Sequence, residues 1–302
     1  MTETHPPTCF YPDLGSSRDL WFARVSGAGI GNGLYNYFHA MVLARQFGGT
    51  VISPPWFSLK LGPLLRGEMS TRLYWRMFRP YPGEISGVRK LITLLSTFSK
   101  RNRVHIDKSG HSAVAEGHLN VVACTKFTFA GLHEYREAIR ERLLGIVRHP
   151  VPADHSWGKG GFIGVHVRLG DFTVVTDPTV ISKGTFSSTR IPLSWYESVV
   201  RALRRKHPDM PVRIFSDGTD AELAPLLALG ATTFRSGSDI LDMLALSSCS
   251  LLVGSHSTYS RWAAFLGDMP SVWLDIEKKD EQPSGAATPC VYVPLDATEP
   301  AL

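Results

Sequence analysis

The chain has 302 residues, which is enough for one large or two medium-sized domains with hydrophobic cores. Its formal net charge is +5 at pH 7, with no long run of like charges, so the composition suits a phosphate-bearing ligand and does not indicate a nucleic-acid-binding protein. No apolar run reaches transmembrane length, and residues 1–18 lack the apolar centre of a signal peptide. We therefore expect a cytoplasmic protein.

The four cysteines are far apart and show no spacing typical of a metal site. Cys124 and Cys249 lie in apolar surroundings and are expected to be small buried side chains. This pattern favours a reducing compartment and predicts no bound metal.

The predicted elements divide the chain into three parts. Residues 1–18 are polar and are interpreted as an N-terminal arm. Residues 19–150 and residues 151–302 each alternate strand and helix, which is typical of α/β domains. A proline-containing stretch at residues 149–156 predicts the linker between the two domains.

The N-terminal domain is predicted to open with a strand at residues 21–25, a glycine-rich turn, a helix from Leu34 and a strand at residues 50–53. Glycines let a ligand approach the backbone, and a helix N-terminus favours an anion, so Gly31 and Asn32 are candidate binding residues. The alternative is a tight turn without a ligand, in which Asn32 only caps the helix.

A second helix is predicted over residues 88–100, with one apolar face and basic flanks. The apolar residues are Val88, Leu91, Ile92, Leu95 and Phe98. Such a helix can lie on an anionic membrane. We favour the commoner arrangement, in which the apolar face packs on the core.

In the C-terminal domain, an apolar strand at residues 162–167 runs into His166, Arg168 and Asp171. Ligands of open α/β sheets bind beyond the carboxyl ends of the strands. A guanidinium there suits a phosphate or carboxylate, although a structural Arg–Asp pair is the alternative.

Later strands of this domain end in similar polar groups. A strand at residues 212–215 is followed by Ser216 and Asp217, and a helix is predicted from Asp239. A strand at residues 251–253 is followed by small hydroxyl residues at a helix start, Ser255, Ser257, Thr258 and Ser260. This combination is typical of an anion site, although Ser257 alone would suit an N-cap. A strand at residues 272–274 is predicted to be the last.

Together these features predict two facing Rossmann-like domains with a diphosphate-sized polar cleft, the GT-B architecture of nucleotide-sugar glycosyltransferases. Four motifs occur in order over roughly residues 21–275. They are GIGNGLYNY at 29–37, HVRLGDF at 166–172, IFSD at 214–217, and DMLAL at 242–246 continuing to STYSRWAAFL at 257–266.

These motifs resemble those of the α1,2-fucosyltransferases of glycosyltransferase family 11, within the wider α1,2/α1,6/protein O-fucosyltransferase superfamily. They are similar to the family's GLGNQ-type, HxRRGDY, FSDD and DLxLM…SSFSWWGAWL motifs. Two positions depart from the pattern: Leu169 replaces the second arginine, and Gly33 replaces the glutamine.

The resemblance implies specific roles for these residues. Arg168 would bind the β-phosphate of GDP-fucose, Asp242 or Asp217 would contact guanine, and Asn32 would lie near the reaction centre. Ser257 and Thr258 would bind phosphate. The remaining motif residues expected at the substrate are Gly31, His166, Ser216, Ser255 and Tyr259. The acceptor hydroxyl could be activated by Asp171, Asp177 or His166, or barely activated at all; we favour Asp177.

The resemblance therefore predicts an inverting transferase that needs no metal or other cofactor and moves fucose from GDP-fucose to a sugar hydroxyl. The acceptor would be a glycan or lipid-linked glycan, with α1,2 linkage to a galactose-type sugar in surface glycan synthesis. Peripheral contact with the inner face of the membrane is part of this expectation. The alternatives are another nucleotide sugar or acceptor, or a non-catalytic homologue, which the departures at Leu169 and Gly33 suggest.

Overall fold

The computed structural model describes residues 7–15, 18–19, 22–25, 27, 29–59, 73–74, 76–152, 155–183, 189–276 and 288–300. Between Pro150 and Val151 the described residues divide into two compact units. Each unit contains its own sheet, and most of the strand pairs are parallel. The predicted α/β class is confirmed.

Among its described residues, the first unit contains a five-stranded sheet, a small three-stranded sheet and three α-helices. Its strands are β1 (Cys9–Pro12), β2 (Arg18–Asp19), β3 (Arg24–Val25), β4 (Thr50–Val51), β5 (Ser58–Leu59), β6 (Arg101–Asp107), β7 (Gly110–His111) and β8 (Leu119–Cys124). Its helices are α1 (Ile30–Gln46), α2 (Gly87–Ser96) and α3 (Arg136–Ile146), the last preceded by a 3-10 turn at His133–Tyr135. The main sheet has the order β4-β1-β8-β6-β7, in which only β7 is antiparallel to its neighbour.

The prediction of an N-terminal arm over residues 1–18 was wrong for its central part. β1 is buried and pairs in parallel with β4 on one side and β8 on the other. Its four residues are too few to show a period, and polar neighbours surround them in sequence. Of the strand predicted at residues 21–25, Trp21 lies outside the described residues, and Arg24–Val25 belongs to the small sheet with β2 and β5.

The helix after the glycine-rich turn begins at Ile30, four residues earlier than predicted. It is buried along most of its length and packs on β1 and β8. Gly49 follows its end, where an added Cβ would lie 2.6 Å from the Phe10 ring. The close approach of the chain to β1 therefore requires glycine at position 49.

The expected packing of the second helix was also wrong. α2 ends at Ser96, and the prediction missed that the chain enters β6 at Arg101. Val88, Ile92 and Leu95 of α2 are exposed, whereas its Lys90 is buried.

The second unit is built on one six-stranded sheet. Its strands are β9 (Ile163–Val167), β10 (Val212–Ser216), β11 (Thr232–Thr233), β12 (Leu251–Val253), β13 (Ser271–Leu274) and β14 (Cys290–Val293). Its helices are α4 (Pro178–Ser182), α5 (Leu193–Lys206), α6 (Ala224–Leu227), α7 (Asp239–Ser247) and α8 (Thr258–Gly267). The predicted last strand is therefore followed by one more, β14.

All pairs in this sheet are parallel, in the order β11-β10-β9-β12-β13-β14. The chain builds outward from β9 to β11, then returns to the other side of β9 with β12. This is the strand order of a doubly wound Rossmann sheet. The direction in which successive strands are added to the sheet reverses between β9 and β12, which is the switch point. β9 is buried at every position, as expected for a strand covered on both faces by helices.

Candidate functional site

The polar residues predicted in the second unit lie at the carboxyl edge of its sheet. Because the six strands are parallel, their carboxyl ends meet at the same edge. Arg168 follows β9, and the segment from Gly254 to Ser257 follows β12. These two strands flank the point where the strand order reverses, which is where open α/β sheets bind their ligands.

Arg168 is held at this edge by two carboxylates. Its Nη1 lies 2.6 Å from Oδ2 of Asp217, and its Nη2 lies 2.5 Å from Oδ1 of Asp171. The guanidinium also lies over the Phe172 ring, 5.5 Å from its centroid. Both the structural pair and the anion site anticipated for this residue are compatible with this geometry, because a guanidinium has five N–H donors and stays partly exposed here.

His166 is buried and hydrogen-bonded, one residue before the end of β9. Its Nδ1 lies 2.8 Å from the Ser255 hydroxyl and 2.6 Å from the Ser260 hydroxyl. Burial, helped by the positive charge of Arg168 and opposed by Asp217, lowers the pKa of His166 to about 3. The imidazole is therefore neutral at pH 7, and its Nδ1 is already used within the protein.

The N-terminus of α8 is organised by a cluster of serine hydroxyls. Ser257 is the N-cap, and its Oγ accepts a hydrogen bond from the Ser260 amide at 3.2 Å. The Ser255 amide donates to the Ser260 hydroxyl at 3.1 Å. Thr258 is the first helical residue and is half-buried. The helix dipole adds partial positive charge at this end, beside β9.

Ser260 was predicted as part of the hydroxyl-rich helix start, but it was not among the residues expected to contact the substrate. Its hydroxyl bonds both His166 on β9 and the backbone at Ser255, so it connects the two sides of the switch point. Its position in the helix, three residues after the N-cap, was the available signal.

Asp242 lies on α7, and Tyr259 connects α8 to α7. The Asp242 Oδ1 accepts a hydrogen bond from the Ser236 amide at 2.7 Å, and burial raises the pKa of this carboxyl. The Tyr259 hydroxyl donates to the Asp239 carbonyl at 2.7 Å, while its ring stacks on His166 with 4.9 Å between centroids. Near the end of β10, the Ser216 hydroxyl accepts from the Gly218 amide at 3.0 Å.

Asp177 has a local structural contact. It is the N-cap of α4, where its Oδ1 accepts from the Thr179 amide at 2.9 Å and from the Thr179 hydroxyl at 2.8 Å. These hydrogen bonds lower the pKa of this exposed carboxyl. A carboxylate with a lowered pKa is a weaker base than an unperturbed one.

Gly31 and Asn32 lie in the first turn of α1, in the first unit. The Ile30 amide at this helix start donates to the Tyr74 hydroxyl at 3.0 Å. The Asn32 side-chain oxygen is buried and has no hydrogen-bond partner among the described residues. Asn32 therefore does not act as the N-cap; that position is held by Gly29.

The family model described as "Glycosyl transferase family 11" matches residues 134–286, just over half of the chain. The chain belongs to glycosyl transferase family 11. The prediction from the four motifs, a fucosyltransferase-like glycosyltransferase, is thereby confirmed at the level of the family. No curated protein sequence matches the chain.

Several solved structures resemble the chain weakly. NodZ α-1,6-fucosyltransferase soaked with GDP-fucose is 16% identical, with a TM-score of 0.47, over 91% of this chain and 97% of that one. Fucosyltransferase NodZ from Bradyrhizobium is 15% identical, with a TM-score of 0.44, over 86% and 93%. POFUT1 in complex with GDP-fucose is 12% identical, with a TM-score of 0.41, over 92% and 100%.

Two more arginines of this family 11 protein were not anticipated from its motifs. Arg190 donates from Nε to the Phe172 carbonyl at 3.0 Å. Arg235 donates to the Gly218 carbonyl at 3.0 Å and pairs with Asp220 at 2.8 Å. Each supports a loop that leaves the carboxyl edge of the sheet. Neither arginine lies at a motif position, so no sequence pattern indicated them.

The described residues of this family 11 protein include neither a membrane-spanning helix nor a group of metal ligands. None of its described helices is both long and apolar enough to cross a membrane. Within the same residues, no three His, Cys, Asp or Glu side chains are grouped as metal ligands would be.

Proposed function

We propose that the protein is an inverting, metal-independent fucosyltransferase that moves fucose from GDP-fucose to a sugar hydroxyl. The acceptor class that we propose is a galactose-type sugar on a glycan or lipid-linked glycan, joined through an α1,2 linkage in surface glycan synthesis. In this proposal the second unit binds the donor.

One observation carries the donor proposal. Arg168 follows β9 at the switch point of a doubly wound sheet, and the N-terminus of α8 follows the neighbouring strand β12. A guanidinium and a helix N-terminus at one switch point form a site for a dianionic group. A nucleoside diphosphate fits this description.

The same geometry supports a mechanism. When the glycosidic bond to the diphosphate breaks, negative charge develops on the leaving phosphate. A preformed guanidinium and helix-terminal amides stabilise this charge without reorganisation, so no metal is required for that role. Arg168 would contact the β-phosphate, and Ser257 and Thr258 would contact the same group from α8.

Guanine recognition is assigned to Asp242. Guanine presents two neighbouring N–H donors, which a carboxylate can accept. Both oxygens of Asp217 are already used, one by Arg168 and one by the Leu169 amide. We therefore replace the two alternatives from the sequence by Asp242 for guanine and Asp217 for positioning Arg168.

On the acceptor side, two carboxylates are candidate bases, and one residue of the first unit is a candidate for a contact near the reaction centre. Asp171 is half-exposed beside Arg168, whereas Asp177 caps α4. We propose Asp171 as the group that faces the acceptor hydroxyl, because it adjoins the phosphate-binding arginine. Asn32 would reach the reaction centre with its unpartnered side-chain oxygen, and Gly31 would allow the close approach.

Ligand-dependent thermal stability tests the donor proposal. A ligand that binds only the folded state raises the unfolding temperature by mass action. We expect GDP and GDP-fucose to raise it, and UDP and ADP to leave it unchanged. Arg168→Ala should abolish the GDP shift, whereas the matched Arg201→Ala, on the exposed side of α5, should keep it. Absence of any shift with guanine nucleotides would contradict the proposal.

Transfer assays separate the donor from the acceptor. We expect GDP-fucose to outperform GDP-mannose with a galactose-terminated acceptor, and the product to carry an α1,2 linkage with inverted anomeric configuration. A different GDP-sugar as the best donor would contradict the fucose assignment. GDP binding without transfer to any of a panel of sugars would instead indicate a non-catalytic homologue.

A further inference from the structure

The helix α2 and the turn after it expose four large apolar side chains in a row. The exposed fractions are 70% for Val88, 59% for Ile92, 66% for Leu95 and 69% for Phe98. At about 100° per residue, the three helical members fall within about 60° of one another around the helix axis. We call Val88, Ile92, Leu95 and Phe98 the apolar face.

The opposite side of α2 is the one that packs on the first unit. Lys90 is 4% exposed, and its Nζ lies over the Tyr11 ring, 5.1 Å from the centroid. Leu94 packs on the core cluster that contains Tyr11 and Ile85. A single exposed apolar side chain is ordinary on a protein surface, but a continuous row on one helix marks an interaction surface.

The charged residues of the chain segment that carries the apolar face are all of one sign. Between Ile85 and Ile106 the chain contains no Asp or Glu. Arg89, Lys100 and Arg101 are exposed, and the Arg101 guanidinium lies 4.7 Å from the centroid of the Phe98 ring. Basic side chains bordering an apolar face complement a surface that is apolar below and anionic at its boundary.

We propose that the apolar face docks on an anionic phospholipid bilayer. The four apolar side chains enter the boundary between head groups and acyl chains, and Arg89, Lys100 and Arg101 lie against lipid phosphates. A second copy of the chain is a poorer occupant, because a symmetric contact through this face would bring two sets of basic side chains together. This proposal goes beyond the transfer reaction and does not depend on the identity of the donor.

Vesicle flotation tests the proposal with the full-length protein. We expect it to float with phosphatidylcholine vesicles that contain phosphatidylglycerol, and to float far less with phosphatidylcholine alone or at high salt. Ile92→Glu/Leu95→Glu should lower the partition coefficient at least tenfold. Lys100→Gln/Arg101→Gln should lower it about fivefold per side chain, because each basic residue near an anionic surface contributes about 1 kcal/mol.

The matched control is Val174→Glu, which changes an apolar residue of the second unit that is 65% exposed. It should float like the unsubstituted protein. Thermal unfolding of each variant in the absence of lipid shows that the fold is kept, since all substituted side chains are exposed.

Three results would overturn the proposal. The first is that the unsubstituted protein does not float with anionic vesicles at low salt. The second is that Ile92→Glu/Leu95→Glu floats as well as Val174→Glu. The third is that the protein is a dimer by light scattering, that Ile92→Glu/Leu95→Glu makes it monomeric, and that neither form floats; the apolar face would then be a contact between two copies.

Discussion

Asp217 holds Arg168 with one carboxylate oxygen and the backbone of the following residue with the other. Its Oδ2 lies 2.6 Å from the Arg168 Nη1, and its Oδ1 accepts from the Leu169 amide at 2.8 Å. A residue at the end of β10 therefore fixes both the side chain and the chain path at the end of β9. This two-point contact orients the guanidinium before any ligand binds, which is the form of preorganisation that electrostatic catalysis requires.

Substitution of Asp217 should separate its two contacts. Asp217→Ala leaves the Leu169 N–H without an acceptor and is expected to lower the free energy of unfolding by about 1–3 kcal/mol. Asp217→Asn keeps an oxygen for that N–H and should cost less, while it still loses the ion pair with Arg168. Urea unfolding measures the stabilities. Equal losses for the two variants would show that the amide contact contributes nothing.

Replacing Arg168 by lysine should impair transfer although the charge is kept. Lysine has a compact ammonium group and lacks the planar fork that engages Asp217, Asp171 and a phosphate together. We expect Arg168→Lys to lower kcat roughly 10²-fold or more, by analogy with the removal of one preorganised donor to a developing anion. Steady-state kinetics with GDP-fucose checks this, with Arg201→Lys as the matched variant. If Arg168→Lys keeps the wild-type kcat, a bidentate contact at this position is not required for transfer.

Two buried histidines should make the protein less stable in mild acid. Burial is the main cause that lowers the pKa of His166 to about 3. Burial also lowers the pKa of His39 to about 4; the Thr128 carbonyl opposes this shift, and His111 adds a smaller contribution to it. The unfolded chain binds these protons near pH 6.5, whereas the folded protein does not. The free energy of unfolding therefore falls as the pH drops from about 6.5 towards 4, by about 1.4 kcal/mol per pH unit for each histidine.

The comparison variant is His166→Asn, which can keep a hydrogen-bonding group near the position of Nδ1. The slope of its unfolding free energy against pH, measured by urea unfolding between pH 4 and 7, should be smaller by about 1.4 kcal/mol per pH unit, which corresponds to the uptake of one proton. An unchanged slope would mean that His166 does not remain neutral in the folded protein.

Gly254 should not tolerate a side chain. A Cβ at this position would lie 2.4 Å from Cζ3 and 2.5 Å from Cη2 of Trp273, a buried ring whose Nε1 donates to the Ser271 hydroxyl at 2.9 Å. We expect Gly254→Ala to lower the free energy of unfolding by about 1–3 kcal/mol. It should also weaken GDP binding, because Gly254 leads from β12 into the turn before α8.

A double-mutant cycle identifies the cause. Trp273→Phe makes room beside Gly254, so the loss from Gly254→Ala should be smaller in the Trp273→Phe background. Strictly additive losses in thermal or urea unfolding would show that the clash with the ring is not responsible.

The second unit could be predicted well from the sequence because its signals are local. β9, β10 and β12 are apolar runs that end in polar residues, and the helix starts are marked by residues such as Ser257. In the main sheet of the first unit, the strands β1, β6 and β7 were not predicted. β1 has only four residues, and β6 alternates exposed Arg101 and Arg103 with buried Val104 and Ile106, which resembles a basic flank when it follows an amphipathic helix.

The sequence by itself determined the α/β class, the family and the positions of the polar residues along the chain, because these depend on short-range patterns and on the order of motifs. Tertiary structure decided what those residues contact. It paired Arg168 with Asp217 across neighbouring strands 49 positions apart in the chain, and gathered His166, Ser255 and Ser260 around one ring nitrogen.

The helix α2 shows the same division. Its periodicity predicted an apolar face, but periodicity is unchanged when a helix rotates about its axis. Which face packs inward depends on what the rest of the unit offers, and here Tyr11 on β1 receives Lys90 while Val88, Ile92 and Leu95 face outward. Only the packed structure carries that information, because it is set by contacts between segments distant in the chain.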